Sequence, residues 1–394
     1  MSIALLYERS ENDENGIKLT AQQIGIDLAF LPFRKIAFSI SNDGFCVKTK
    51  GKDYVDTLRD VAVVLNRAQS KNRRLQASFL MEQLGKKTLN TSQVEFVCYS
   101  KLRTLFKLWK EGLPIPKTVY VPCDATDTLK NGKEIHNEND IAELLKQEIA
   151  LNEGIVIKAD AGTHGKMIML SKSSEELVAN IREMKPSIIN PVGIVGQELI
   201  EKWFYDLRII VSKEKAKQPV CYPMAMARAG FKDFRTNTFL GNLVFGVKLP
   251  RSVQELAAKC ARTLGKGSEA WIFALDAMVD VKENKTVEDD YIKNQLDKAG
   301  QAFLPVQKVK QDELRLTDFP MWTTKLEKAF QSYANSDCYG NVRAVIEESL
   351  EKNKSALVFH ESNSCPEFWE NTRLATGLNV AVTLLKSAQS LIDH

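Results

Sequence analysis

The sequence predicts a mixed fold, α/β over roughly its first ninety residues and α+β beyond them. Three features carry that expectation. Short apolar runs alternate with amphipathic stretches near the N-terminus, β-rich passages replace that alternation further on, and a charged helical passage interrupts the C-terminal third.

Taken in order, Ile3-Ala-Leu-Leu6, Lys35-Ile-Ala-Phe-Ser39 and Val61-Ala-Val-Val-Leu65 read as strands. Over residues 74–84 the apolar positions Leu75, Phe79, Leu80 and Leu84 recur at helical spacing, and Gly85 stops the run. This alternation implies a small open α/β layer. A further helix is expected over 100–111, burying Leu102, Leu105, Phe106 and Trp109 and ending at Gly112. Leu113-Pro-Ile-Pro116 then turns the chain into a strand at 118–121. A polar stretch, 124–140, reads as a surface loop, followed by a helix over 141–149. Gly154-Ile-Val-Ile-Lys158, the turn Ala161-Gly-Thr-His-Gly-Lys166 and a strand at 167–170 come next. Two β-rich passages, 196–211 and 220–235, precede a helix over 252–264 and the strand Ala270-Trp-Ile-Phe-Ala-Leu275. Residues 281–355 read as a helical insertion packed on the core, because Trp322, Leu326, Phe330 and Tyr333 repeat every three to four positions.

At 394 residues the chain is long enough for two or three subdomains with sizeable cores. A net charge of +4 lacks the concentrated basic stripe of a nucleic-acid binder, and Lys71-Asn-Arg-Arg74 reads as the solvated start of a helix. Seven cysteines, odd in number and never spaced CxxC, argue against a disulfide framework or a structural zinc site. No signal peptide opens the sequence, and no apolar run reaches the roughly 18–20 residues of a membrane span. A cytoplasmic location with no nucleic-acid or membrane partner is expected.

The run Ala356-Leu-Val-Phe-His360 delivers Glu361 and Asn363, which share a strand face because side chains alternate. A carboxylate and a carboxamide are hard oxygen donors suited to Mg²⁺, and Asp276, ending the strand at 270–275, supplies a third oxygen. A solvated strand end is the other reading of Glu-x-Asn. Lys158 ends a strand beside Gly162, Thr163, His164 and Gly165, a turn whose N–H groups and ammonium suit phosphate, although the motif alone favours a plain hairpin with a solvated lysine. The spacing is not that of a Walker loop. Glu198 and two apolar residues offer a nucleotide hinge, and Asp206 and Arg208, two apart, read as a site pair or a structural ion pair. Arg235 and Asn237, with Arg228 upstream, suit a phosphoryl group in flight and the carboxylate receiving it. Lys101, at a helix start, reads as exposed or as a phosphate contact. His164 and His360 have no nucleophile or metal partner in sequence, so no acid–base role is assigned.

In order, Ser100-Lys101, Ile-Lys158, Gly162-Thr-His-Gly165, Gln197-Glu198, Asp206-Leu-Arg208, Asp233-Phe-Arg-Thr-Asn237, Asp276 and Glu361-Ser-Asn363 resemble the ATP-grasp ligases, most closely their RimK-like branch. That branch includes ligases attaching an amino acid to an acidic carrier protein in lysine biosynthesis. The resemblance covers about 95–280 and 356–385, and Ala375-Thr-Gly-Leu-Asn-Val380 looks like the family's closing helix start. It implies an ATP-grasp fold behind an N-terminal pre-ATP-grasp α/β domain (1–94). A central and lid subdomain (95–195) and a C-terminal subdomain (196–394) with an insertion at about 282–355 would follow. It also implies ATP held by Lys101, Lys158, Gly162, Thr163, Gly165, Glu198, Leu199, Asp206 and Arg208, with Arg228, Arg235, Thr236 and Asn237 at the phosphates and reacting carboxylate. Asp276, Glu361 and Asn363 would bind Mg²⁺, or Mn²⁺ as the alternative ion. The implied reaction is ATP-dependent joining of a carboxylate to an amine through an acyl phosphate. Its substrates would be small molecules or peptides, with a protein acceptor as one option, and its enzyme a homo-oligomer. Phe239-Leu-Gly-Asn242 stands where the family usually has an Arg-Gly-Gly run, which motivates an alternative, a non-catalytic ATP-binding scaffold.

Overall fold

The computed structural model describes residues 2–42, 44–49, 54–122, 137–162, 167–184, 193–235 and 241–392. The chain opens with β1 (Ser2–Tyr7), α1 (Asn12–Ile24) and β2 (Leu28–Pro32), then a hairpin of β3 (Ile36–Ser41) and β4 (Gly44–Thr49). There follow α2 (Val55–Asp60), β5 (Val61–Arg67), α3 (Lys71–Gln83) and β6 (Lys87–Leu89). The strands β2, β1, β5 and β6 form one parallel sheet in that order. The strand expected at 35–39 exists but pairs only within the hairpin, outside that sheet.

Two expected helical stripes are rotated. In α3 the buried residues are Arg74, Ala77, Ser78 and Met81, while Phe79 is exposed. Arg74 is tolerated inside because its Nε donates to Glu95 at 2.8 Å, a partner that no hydropathy pattern reveals. After α4 (Ser92–Tyr99), α5 (Lys101–Lys110) buries Lys101, Thr104, Leu105 and Leu108 and leaves Phe106 and Trp109 exposed. Its inward face is the one that brings the Thr104 hydroxyl to that of Ser362, 3.2 Å away.

A second sheet, antiparallel throughout, contains β7 (Thr118–Val121), β8 (Ile155–Lys158), β9 (Ile168–Ser171) and β10 (Ile194–Glu198) in the order β7-β10-β8-β9. Helices α6 (Glu138–Glu148) and α7 (Ser174–Met184) cover it, with Ile141, Leu145, Ile157, Leu177 and Ile181 in a separate core. Most of the loop expected at 124–140 lies outside the described residues. Its end is the first turn of α6, where the Asn137 side chain accepts the N–H groups of Asn139 and Asp140.

The third sheet runs β14-β13-β11-β15-β16, with β12 (Val220–Cys221) paired to β11. These strands are β11 (Tyr205–Lys213), β13 (Met224–Ala229), β14 (Leu243–Lys248), β15 (Trp271–Val279) and β16 (Leu357–Asn363). Asp276, Glu361 and Asn363 thus lie within strands, not past their ends. Helix α8 (Arg251–Leu264) precedes β15, and the passage before β16 holds α9 (Asp289–Lys310), α10 (Leu314–Thr317), α11 (Phe319–Ala334) and α12 (Asp337–Asn353). Trp322, Leu326, Phe330 and Tyr333 are buried in the same core as the sheet.

The insertion also seals a sheet edge. On β14 the Gly246 N–H donates to the Tyr339 Oη at 2.7 Å and the Lys248 N–H to Glu347 at 2.7 Å. The Val244 carbonyl accepts from the Tyr333 hydroxyl at 3.3 Å. Edge groups that would otherwise invite another strand are thereby satisfied. A Cβ on Gly246 would fall 1.7 Å from the Ala375 carbonyl oxygen of α13 (Thr372–Thr376), so only glycine permits this approach. The chain closes with α14 (Val380–Ile392), near where a helix start was expected at 375–380.

Candidate active site

Strand register puts six polar residues on one face of the third sheet. Asp206 lies opposite Arg228, Arg208 opposite Asp276, Asp276 opposite Glu361, and Ala274 opposite Asn363. Opposed residues and residues two apart point the same way, so Asp206, Arg208, Arg228, Asp276, Glu361 and Asn363 converge. Between the pairs Asp276–Glu361 and Ala277–Phe359 the register slips by one, which leaves His360 unopposed as a bulge. Both ring nitrogens of His360 are buried without a hydrogen-bond partner among the described residues. Burial, and then the Lys158 ammonium, press its pKa down to about 4.

The ion pairs differ from the one suggested by sequence. Asp206 and Arg208 do not pair with each other. Arg228 donates Nε and Nη2 to the Asp206 carboxylate at 2.7 and 3.0 Å, and Arg208 donates the same two groups to Asp276, both at 2.9 Å. Residues two apart on a strand share a face but stand too far apart for a bidentate pair, whereas cross-strand neighbours meet. Arg228 also approaches Asp276 at 3.5 Å, and the Asn363 amide nitrogen lies 3.4 Å from an Asp276 oxygen. Burial raises the pKa of Asp276, but Arg208 and Arg228 outweigh it and hold the carboxyl well below the usual range.

Glu361 meets two lysines that sequence reasoning discounted. Lys101 and Lys71 each place Nζ 3.5 Å from its Oε1. Lys101 is 4% exposed, which removes the solvated reading, and its Nζ also donates to the Gly162 carbonyl at 2.9 Å. The basic run at 71–74 starts α3 behind the N-cap Ser70 as expected, but only Asn72 and Arg73 are solvated, because Lys71 turns inward and Arg74 is buried. Burial works against charge on Glu361, yet Lys101 and Lys71 bring its pKa to about 2. The only sequence sign of Lys71 was a helix start aimed from one layer toward another.

Lys158 ends β8 and is buried, with no hydrogen bond or ion pair among the described residues. Burial first, then the neighbouring Lys101 ammonium, lower its pKa to about 8, with Glu361 opposing. Lys202, also missed in the sequence, is pressed to about 8 by burial against the pull of Asp206. The N–H groups of Glu198 and Leu199 donate to the carbonyls of Lys117 (3.1 Å) and Gly154 (3.2 Å), and the Glu198 carboxylate accepts the Lys117 N–H at 2.7 Å. A base edge at this hinge must therefore meet other backbone groups than those two N–H donors. Arg235 pairs with Asp233, its Nη2 2.7 Å from the carboxylate, at a half-buried rim.

All these groups line one cleft of about 560 Å³, which Lys101, Lys158, Gly162, Glu198, Leu199, Asp206, Arg208, Arg228, Arg235, Asp276, Glu361 and Asn363 share with residues of the N-terminal layer and of α9. Thr163, His164, Gly165, Thr236 and Asn237 lie outside the described residues. Among those described, no three His, Cys, Asp or Glu side chains gather as a metal cluster. Two carboxylates held ionised and one carboxamide do gather, a hard-oxygen set that fits Mg²⁺.

The architecture matches that of the ATP-grasp proteins: a solved ATP-grasp ligase, PsnB with its minimal precursor, superimposes with a TM-score of 0.52 over 100% of this chain and 98% of its own, at 12% identity. The model of the RimK-like ATP-grasp domain matches residues 124–297. The α-aminoadipate–LysW ligase LysX of Sulfurisphaera tokodaii is 24% identical over 267 residues, 67% of this chain and 82% of that protein. Its counterpart in Saccharolobus solfataricus is 27% identical over 207 residues, covering 52% and 67%. A probable α-L-glutamate ligase of Legionella pneumophila is 29% identical over 188 residues, covering 47% and 54%. The fold is that of the ATP-grasp ligases, and residues 124–297 match the RimK-like domain of that fold.

Proposed function

We propose that this ligase forms an amide between a carboxylate on a peptide or carrier-protein tail and the amine of an acidic amino acid, with ATP converted to ADP and phosphate. The supporting observation is the convergence of Asp276, Glu361 and Asn363 on one sheet face, in a cleft that also holds the Lys158 ammonium, unpaired among the described residues. The names of the relatives, which join aminoadipate or glutamate, support the substrate class. Scattered cysteines, free at 98, 221, 260, 338 and 365, support a reducing cytoplasmic setting.

In this reading Asp276, Glu361 and Asn363 would hold Mg²⁺, which would supply charge neutralisation for the phosphate tail. Lys158 binds the phosphate tail as a point charge. Arg228 and Arg208 fix the orientation of the Asp206 and Asp276 carboxylates, and Arg235 meets the transferring group at the rim. A substrate carboxylate oxygen bonds to the γ-phosphorus as the bond to the β-bridging oxygen breaks and ADP leaves. The amine nitrogen then bonds to the acyl carbon, the carbon–oxygen bond to phosphate breaks, and the amine proton passes to solvent. Holding the reactants in line inside a dry cleft supplies much of the rate.

The test is coupled ADP release with Mg·ATP and pooled acidic amino acids and peptides. Wild type turns over only with a carboxylate–amine pair, and Glu361→Ala abolishes release while keeping the fold. Substantial ADP release by that variant would remove the metal assignment. Nucleotide binding without substrate-dependent release by the wild type would favour the scaffold.

A further inference from the structure

The wall carrying Glu361 and Asn363 continues past them: Pro366, Glu367, Glu370 and Asn371 line the same cleft, joined there by Phe303 and Lys310 of α9. Helix α9 buries Ile292, Gln295, Leu296, Ala299, Phe303 and Val306. The next position of that stripe is 310, where a hydrophobe would continue the pattern and a lysine stands instead.

Its direct contacts are neutral, and the Glu370 carboxylate acts on it only through space. Lys310 Nζ donates to the Asn371 side-chain oxygen at 2.5 Å and sits 5.3 Å from the centre of the Phe303 ring. No carboxylate lies within ion-pair distance of it among the described residues. Most other buried cations of the cleft meet a carboxylate: Arg208 meets Asp276, Arg228 meets Asp206, Arg74 meets Glu95, Arg67 meets Asp13 and Glu14, Lys71 and Lys101 share Glu361, and Asp206 acts on Lys202. Lys158 is unmatched too, but it belongs with the phosphate tail. An ammonium half-withdrawn from water, held by a neutral amide oxygen and turned into a cleft, lacks an anion. A lysine in a last helical turn also favours the helix dipole, yet an exposed position would serve that purpose as well.

We propose that Lys310 binds a substrate carboxylate that takes no part in bond formation, so that the insertion selects amino acids with a second acid group. The proposal rests on the ligase reading above and adds a specificity role for a segment beyond the matched domain, which ends at residue 297.

Titration calorimetry on the full chain tests it, with saturating AMPPNP and Mg²⁺ and with L-2-aminoadipate, L-glutamate and L-glutamine as probes. Wild type should bind the two acids more tightly than L-glutamine. Lys310→Met should weaken both acids by at least about tenfold and leave L-glutamine little changed. Lys310→Arg should stay within about threefold of wild type, since it keeps the charge. Affinity for AMPPNP should be equal in all three proteins, a result that a merely structural lysine would not produce alongside the selective loss. Lys310→Met binding the acids as wild type does would overturn the proposal. So would a wild type that binds AMPPNP but none of the acids, and that result would leave the nucleotide site standing.

Discussion

Lys158 gives the sharpest prediction, because among the described residues no hydrogen bond or ion pair meets its ammonium beside the oxygen donors. With a pKa of about 8 in the free protein, about nine-tenths of the molecules carry the proton at pH 7 and about one-tenth at pH 9. If only the charged form grips the phosphate tail, the apparent Kd for AMPPNP·Mg rises about tenfold between those values, since affinity scales with the competent fraction. Fluorescence titration with AMPPNP at half-unit pH steps measures this. Lys158→Met should bind weakly throughout with a flattened profile, and Lys158→Arg should bind well and stay flat to pH 9. Unfolding does not mimic the effect. The folded pKa lies below the ordinary lysine value of 10.5, so the folded state binds fewer protons between about pH 8 and 10.5. That group's contribution to stability therefore rises, not falls, through the window in which affinity is lost. A wild-type Kd constant from pH 7 to 9 would refute the assignment, and an undiminished slope in Lys158→Met would shift it to Lys202.

Arg228→Met should destabilise the chain by about 3–5 kcal/mol, because it strands the buried Asp206 carboxylate, and urea denaturation reads the loss. Adding Asp206→Leu to it should cost clearly less than the sum of the two single changes; strict additivity would show the pair to be uncoupled. Gly246→Ala should cost on the order of 1–3 kcal/mol, since the neighbour at 1.7 Å is a backbone oxygen, and a thermal midpoint equal to wild type would contradict the close approach. Lys71→Met should lower the rate of ADP release with little change in AMPPNP affinity if the N-terminal layer acts through Glu361. A loss confined to nucleotide affinity would place Lys71 on the phosphates instead.

How far the site was legible follows from how local each constraint is. Parity along one strand is a property of neighbouring residues, so the common face of Glu361 and Asn363, and that of Asp206 and Arg208, could be read directly. The Lys158 hairpin, the strands at 3–6 and 61–65 and the helical insertion were legible for the same reason, whereas α1, β2, β6, α4 and α7 drew no expectation. The bidentate partners were not. Asp206 chose Arg228 and Arg208 chose Asp276 because antiparallel register set them opposite each other, across sequence separations of 22 and 68 residues.

Burial misled the sequence reading in both directions. Phe79, Phe106 and Trp109 had the spacing of a core stripe yet face outward, while Arg74, Lys71 and Lys101 lie inside. Hydrophobic periodicity assumes that charge stays in water, and it fails wherever a distant residue supplies the counter-charge. The sequence by itself determined which donors share a face and what chemistry they can perform. Tertiary structure decided which charges met a carboxylate, at Glu95 and Glu361, and which, at Lys158 and Lys310, have no ion-pair partner among the described residues. The reason is physical: the energy of a buried charge depends on its nearest opposite charge, and that neighbour comes from another part of the chain.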